Sequence, residues 1–322
     1  MIRTITRRAA LAAAALSLAR PALAQGGRPI RLIVPFTPGG SSDLVARLLA
    51  PRLSEKLGQG VVVENRAGAA ATIGTDQVAK AEPDGLTLLI STAAGNGLAP
   101  AVYPRLPYDP VADFTHIGFI GALPATLLVK PALGTPDFAR FVAHARGVAQ
   151  PIPYGTGGHG TLNHVTGELI ALRTGAKLQH VPYRGSAQAM ADLLGGTLQA
   201  VVDALPQNLP AIRDGRLVAL GVTTRTRAAV APDIPTFVEQ GFPDIVAENW
   251  NGLSGPRGLA PATVQRIDAA LRAVLAEPAI ATQLTAWGMV PGPETPAAFT
   301  AFVAAEVARW RPVVQAAGAV QG

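Results

Sequence analysis

The sequence predicts an α/β protein of two doubly wound lobes joined by a two-stranded hinge. Three observations carry that expectation. Short apolar runs of strand character alternate with segments of helical periodicity, the signature of a mostly parallel sheet. Two stretches share one grammar, an apolar strand entering a Gly-rich turn that opens a helix: Ile30–Leu49 (IRLIVPFTPGGSSDLVARLL) and Ile152–Leu172 (IPYGTGGHGTLNHVTGELIAL), about 120 residues apart. The chain also crosses between the lobes twice, through strands Ile117–Gly121 and Thr126–Lys130 and back through the extended stretch Ile245–Gly255. Lobe 1 is accordingly residues 25–125 plus 250–322, and lobe 2 is residues 126–249. Two crossings suit a cleft that closes.

The start of the chain reads as an export signal. Arg3, Arg7 and Arg8 precede the apolar run Ala9–Ala19, and Ala22-Leu23-Ala24 has the small-residue pattern of a cleavage site. The Arg7-Arg8 pair fits an ordinary signal and also faintly a twin-arginine one. The run is too short to span a bilayer, and with no cysteine in the chain there is none to carry a lipid or a disulfide. A periplasmic protein without a membrane anchor is expected, cleaved near Ala24. The formal charge of +6 then shrinks to about +2, because four arginines leave with the signal. No basic run remains, which argues against a nucleic-acid partner.

The elements follow in order. Strand Ile30–Pro35 leads through Thr37-Pro38-Gly39-Gly40 to helix Asp43–Leu57, with Ser41 or Ser42 as N-cap and Leu44, Val45, Leu48, Leu49, Leu53 and Leu57 facing a core. Pro51 in its middle should kink or interrupt it, and Gly58 ends it. Strand Val61–Val63, loop Asn65–Ala71, helix Thr72–Ala81, turn Pro83–Gly85, strand Leu86–Ser91 and a third Gly-containing turn, Thr92–Gly97, complete the first run. Lobe 2 has helix Asp137–Arg146 and then the second corner. There Thr161 is the N-cap, with Leu162, Val165, Leu169 and Leu172 on one face. Strand Gln179–Pro182, helix Ser186–Leu194, strand Leu198–Asp203, helix Leu209–Asp214 and strand Leu217–Thr223 follow. Helices Ala262–Ala276, Ala279–Trp287 and Ala297–Ala316 finish lobe 1.

The chemistry sits at the corners. Glycines let backbone turn sharply and approach a ligand, and the N–H groups of the first helical turn have no intrahelical acceptor. Each corner is thus suited to an anion, phosphate or carboxylate. Asp43 is either a first-turn acid favoured by the helix dipole or a group that orients loop N–H groups and waters. His164 in a first helical turn should be neutral, contacting ligand or supporting its loop. Asp203 either caps the next turn or meets ligand. Tyr183, Arg184 and Gly185 read as structural, and Trp250 and Trp287 as core or hinge aromatics. There is no G-x-S-x-G, no Walker lysine after Gly39-Gly40, and His159 and His164 stand five apart without a cysteine or Glu-rich partner motif. No catalytic residue, metal ligand or cofactor is therefore assigned.

Seven segments, in order, carry a family resemblance: PFTPGGSSDLVAR (Pro35–Arg47), VVVENRAGA (Val61–Ala69), ADFTHIG (Ala112–Gly118), HVPYRG (His180–Gly185), DLLGG (Asp192–Gly196), PDIPTFVEQGF (Pro232–Phe242) and NWNGLSGP (Asn249–Pro256). Together the chain resembles the extracytoplasmic solute receptors of the tripartite tricarboxylate transporters, the Bug family. The resemblance implies a type II periplasmic-binding-protein fold closing on a small carboxylate, with a membrane permease or a sensor kinase as partner. It implies two ligand loops. The first offers Phe36, Thr37, Pro38, Gly39, Gly40, Ser41 and Asp43. The second offers Thr156, Gly157, Gly158, His159, Gly160, Thr161 and His164. Asp203 would meet the distal group of the ligand, and Thr92, Ala93 and Asn96 would line the same cleft. Pro51, and His159 where small or apolar residues are common, depart from the family pattern.

Overall fold

A computed structural model describes residues 27–316, 318 and 320; the export signal lies outside the described residues. One continuous nine-stranded sheet runs through the molecule in the order β2-β1-β3-β9-β4-β7-β5-β6, with β8 also on β4. Its two ends are parallel and its middle antiparallel. At one end β1 (Ile30–Val34) pairs in parallel with β2 (Val61–Asn65) and β3 (Thr87–Thr92). At the other, β5 (Ile152–Thr156) pairs in parallel with β6 (Leu178–Pro182) and β7 (Ala200–Ala204).

The middle is built by β4 (Phe114–Val129) and β9 (Glu248–Pro256). The sequence suggested two separate strands, Ile117–Gly121 and Thr126–Lys130; the chain instead runs extended through Leu123-Pro124-Ala125 as one strand of 16 residues. The reason is pairing on both sides of that join. Phe114–Pro124 ladders with β9, and Ala125–Val129 ladders with β7, while β8 (Val218–Val222) takes its other edge. The two antiparallel strands β4 and β9 are the hinge, and β4 belongs to both halves of the sheet.

Each half has its own core. Ile30, Leu32, Val34, Val45, Leu49, Leu88, Ile267 and Leu271 are buried together in the first, and Phe138, Phe141, Ile152, Tyr154, Leu169, Ile170 and Phe237 in the second. β1 is apolar at nearly every position because helices cover both faces of that part of the sheet. The last helix, Pro296–Ala316, does not pack on the first core alone. Its Trp310 and Val314 are buried with Leu162 and Val165 of the second half and with Trp250 of β9. Glu306 on the same helix accepts from both indole N–H groups, Trp250 at 3.3 Å and Trp310 at 3.0 Å.

Several local expectations are corrected. Helix α1 spans Ser41–Leu57 and continues past Pro51 without interruption. A mid-helix proline costs about 3 kcal/mol, but Val45, Ala46, Leu49, Ala50 and Leu53 anchor the helix on both sides of it. Pro51 itself faces solvent, where the carbonyl it leaves unpaired can be hydrated. Leu44 on α1 and Leu172 on the helix Leu162–Thr174 are 40% and 43% exposed rather than in the core. The helix after β7 begins at Leu205, four residues earlier than its pattern suggested, with Pro206 in its first turn where the missing N–H costs nothing.

Candidate functional site

A cavity of about 480 Å³ lies between the two corners, within the size range of small-molecule sites. Its walls come from both halves of the sheet and its floor from β9.

In the first corner Gly39 has φ of +83°, a left-handed geometry that favours glycine. Its N–H donates to Asp43 Oδ2 at 2.9 Å. Arg47 donates to the same oxygen at 2.9 Å, and Asn65 Nδ2 bridges Asp43 Oδ1 at 2.9 Å and the Phe36 carbonyl at 3.0 Å. Burial raises the Asp43 carboxyl, but the hydrogen bonds from Arg47, Gly39 and Asn65 outweigh it and hold the group below its ordinary value. Asp43 thus shapes the loop from behind. The helix cap is Gly40, with no side-chain cap bond, rather than Ser41 or Ser42. Ser42 is drawn away to Asn251 Oδ1 on the floor, at 2.7 Å. Gly40, Ser41 and Ser42 line the cavity, so the start of α1 is at its wall.

The second corner repeats the arrangement with different groups. Thr161 is the N-cap, accepting from His164 N at 3.3 Å and donating to the Gly158 carbonyl at 2.8 Å. Gly160 N–H donates to His164 Nδ1 at 3.1 Å, the same four-residue reach as Gly39 to Asp43. Burial, then the neighbouring imidazoles of His180 and His159, push His164 down to about 3. Its Nδ1 accepts the Gly160 N–H, as a neutral ring can, and the cause of the lowering is burial with two imidazole neighbours rather than the position in the first helical turn.

Of the residues picked out from sequence, Phe36, Thr37, Gly40, Ser41, Thr92, Ala93, Gly157, Gly158, His159, Thr161 and Asp203 line the cavity. The others do not, for local reasons. Pro38 and Gly39 form the solvent side of the turn, and Asp43 and His164 sit behind their loops. Asn96 is fully buried and turned back onto Thr92 N at 3.3 Å. Thr156 is occupied with the Gly158 backbone and His180. Gly160 abuts the first half, where a Cβ would lie 3.0 Å from Tyr103 Oη and from Val102.

The sequence reading also missed wall residues. Ala69, Ala70 and Ala71 have φ of +44°, +48° and +81°, three alanines in succession in the left-handed region. Such backbone costs on the order of 1–3 kcal/mol per residue and clusters at functional sites. Nothing in NRAGAAA signals it beyond side chains small enough for backbone to face a ligand. Tyr183 and Arg184, read as structural, also line the cavity; Arg184 is the one cationic side chain there and Asp203 the one carboxylate among the described residues. Burial pushes the Asp203 carboxyl above its ordinary value, although Asn208, Gln207 and Ser186 donate to it. A chain of hydrogen bonds crosses the floor: Asn249 Nδ2 to Asn163 Oδ1 at 3.0 Å, and Asn163 Nδ2 to Asp203 Oδ1 at 3.4 Å.

A feature invisible in the spacing of His159 and His164 is the third histidine beside them. His180 enters from β6, whose register sets it opposite Tyr154 of β5, and its ring stacks on His164 with centroids 3.9 Å apart. Burial, then the His159 imidazole, lowers His180 to about 4.

The arrangement can hold a small anion between two helix N-termini, with one guanidinium and one buried carboxyl to orient it. The chain is similar to known proteins. Residues 45–319 match the model of the tripartite tricarboxylate transporter family receptor. Protein BugT of Bordetella pertussis is 36% identical over 293 residues, covering 91% of this chain and 90% of that protein. Among solved structures, Rpa4515 of R. palustris with adipate superposes with a TM-score of 0.85 at 35% identity, covering 90% of this chain and 97% of that one. MatC from Rhodopseudomonas palustris with bound malate gives 0.84 at 31% identity, covering 89% and 99%. The two α/β halves on a two-stranded hinge are therefore the type II periplasmic-binding-protein fold. The chain belongs to the receptor family of the tripartite tricarboxylate transporters, the Bug proteins.

Proposed function

We propose that this protein is a periplasmic receptor for a small dicarboxylate, which it delivers to the permease of a tripartite tricarboxylate transporter. The observation that carries the reading is the cavity itself, walled by the N-termini of α1 and of the helix Leu162–Thr174. One ligand carboxylate takes backbone N–H groups of Gly40–Ser42 and of Gly157–Thr161, with waters completing the shell. Arg184 faces the remaining charge, and Asp203 meets the distal polar group. The raised Asp203 carboxyl fits that role, since in its protonated form it donates a hydrogen bond to an acidic ligand instead of repelling it. Malate and adipate, bound by the two relatives named above, are both of this class. Residues 25–125 with 250–322, and residues 126–249, close as two bodies over the ligand. Export through the signal of residues 1–24 places the mature chain in the periplasm, and no helix among the described residues is long and apolar enough to cross a membrane.

A thermal-shift screen against malate, adipate, citrate, benzoate and amino acids tests the reading. A ligand at 100 times its dissociation constant should add about 2.7 kcal/mol to stability. Hits confined to dicarboxylates, weakened about tenfold by Arg184→Ala, are the expected result. A folded protein that none of the acids stabilises would overturn it.

A further inference from the structure

We propose that His159, His164 and His180 form a binding site for a divalent transition-metal ion of the zinc class, set in the wall of the cavity. The three side chains come from three different elements: the Gly157–Thr161 loop, the first turn of the following helix, and β6. One ring nitrogen from each lies within 4.8 Å of the other two. Three imidazoles without a thiolate suit Zn²⁺, Cu²⁺, Ni²⁺ or Co²⁺, and not the hard ions Mg²⁺ or Ca²⁺.

Two further observations favour a ligating role over simple packing. His159 Nε2 is buried without any hydrogen-bond partner. Leaving such a group unsatisfied is unfavourable, and a metal ion would satisfy it. The groups behind the other two rings are of the kind that supports metal-bound imidazole, one in hydrogen-bond contact and one just beyond it. Thr156 Oγ1 lies 2.8 Å from His180 Nε2. Glu168 Oε1 lies 3.8 Å from His164 Nε2 and is itself held by the Tyr154 hydroxyl at 2.6 Å.

The adjustment required is a rotation of rings. Zinc bonds of about 2.0–2.1 Å place tetrahedral nitrogens about 3.3 Å apart. Because His164 and His180 stack with centroids 3.9 Å apart, one of the two must turn out of the stack to aim its in-plane lone pair at a shared ion while His159 moves in. His159 is only half-buried and makes no bond that resists this. His164 Nδ1 now accepts the Gly160 N–H. If the metal takes Nδ1, the Nε2–H keeps facing Glu168 and the Gly160 N–H is released. His159 lines the cavity while His164 and His180 lie behind it, so the open coordination position faces the cavity. On the dicarboxylate reading above, a ligand carboxylate oxygen fills that position. The metal site itself does not depend on that reading, and its test uses metal alone.

Untagged protein stripped with a chelator is titrated with Co²⁺ and then Zn²⁺, following the visible spectrum and heat. The expected result is one tight equivalent, with Co²⁺ giving the intense absorption of a tetrahedral, nitrogen-rich site and Zn²⁺ displacing it. His159→Ala, a loop substitution that disturbs no core residue, should weaken binding at least about 100-fold, and His180→Gln should do the same. Circular dichroism of each variant separates loss of the site from loss of the fold. Absence of saturable binding, or binding of equal strength in both folded variants, would overturn the proposal. A later titration with malate or adipate, with and without metal, reads the carboxylate claim separately.

Discussion

The two corners make the same turn with different acceptors. In the first, Gly39 N–H reaches four residues forward to an ionised Asp43; in the second, Gly160 N–H reaches four residues forward to a neutral His164. Asp43 can stay charged near an anion site because Arg47 and Asn65 take its remaining lone pairs on the side away from the cavity. His164 has no such cation and is kept neutral by burial among His159 and His180, with Glu168 3.8 Å away. A loop that presents N–H groups to an anion can thus be braced by either group, provided no negative charge is left uncompensated toward the cavity.

Acid should separate the corners most clearly. The folded-state values of His164 (about 3) and His180 (about 4) lie below the ordinary 6.5, so the unfolded chain binds more protons between those limits. The stability they contribute is complete above pH 6.5 and is lost as pH falls toward 4, at up to about 1.4 kcal/mol per pH unit for each histidine. Asp43 has a lowered value, so its contribution persists until pH falls below the ordinary 3.8. Denaturant melts of metal-free protein from pH 7.5 to 3.5 should show a steep loss beginning near 6.5. In a His164→Gln, His180→Gln double variant that early loss should shrink to the part carried by the buried His116, which burial also lowers to about 4, and an unchanged slope would break the comparison.

Substitution of the anchors comes next in size. Asp43→Ala strands the Gly39 N–H and the Asn65 amide and should cost about 3 kcal/mol in urea denaturation, whereas Asp43→Asn keeps an acceptor and should cost about half as much. Equal losses from the two would mean the charge, not the acceptor, braces the loop. The smallest effect concerns the caps. Thr161→Ala should cost about 1 kcal/mol, while Ser41→Ala should be nearly silent because Gly40, without a side chain, already occupies the first cap.

Much of this was legible in the chain. Gly39, Gly40, Gly157, Gly158 and Thr161 are local signals, since turn geometry and capping depend on neighbours in sequence. Strand alternation set the layers for the same reason. What escaped depended on distant partners. Ser42 looks like a cap until Asn251 of β9 claims its hydroxyl. Pro51 looks like a breaker until the core on either side holds its helix. His180 joins His159 and His164 only through the register of β5 with β6, which no spacing records. The left-handed run Ala69–Ala71 contradicts the preference of alanine itself, so only the surrounding fold can impose it.

The strand Phe114–Val129 ties both halves into one folding event. Half of its hydrogen-bond ladder is completed by β9 and half by β7 and β8, and the last helix buries Trp310 against Leu162 and Val165 across the same seam. Neither half of the sheet has its central strand until the other end of that strand is in place, so a stable half-folded species has nothing to rest on. Calorimetry of the ligand-free protein at neutral pH should therefore give a single transition whose van't Hoff and calorimetric enthalpies agree, in a molecule that looks in outline like two domains.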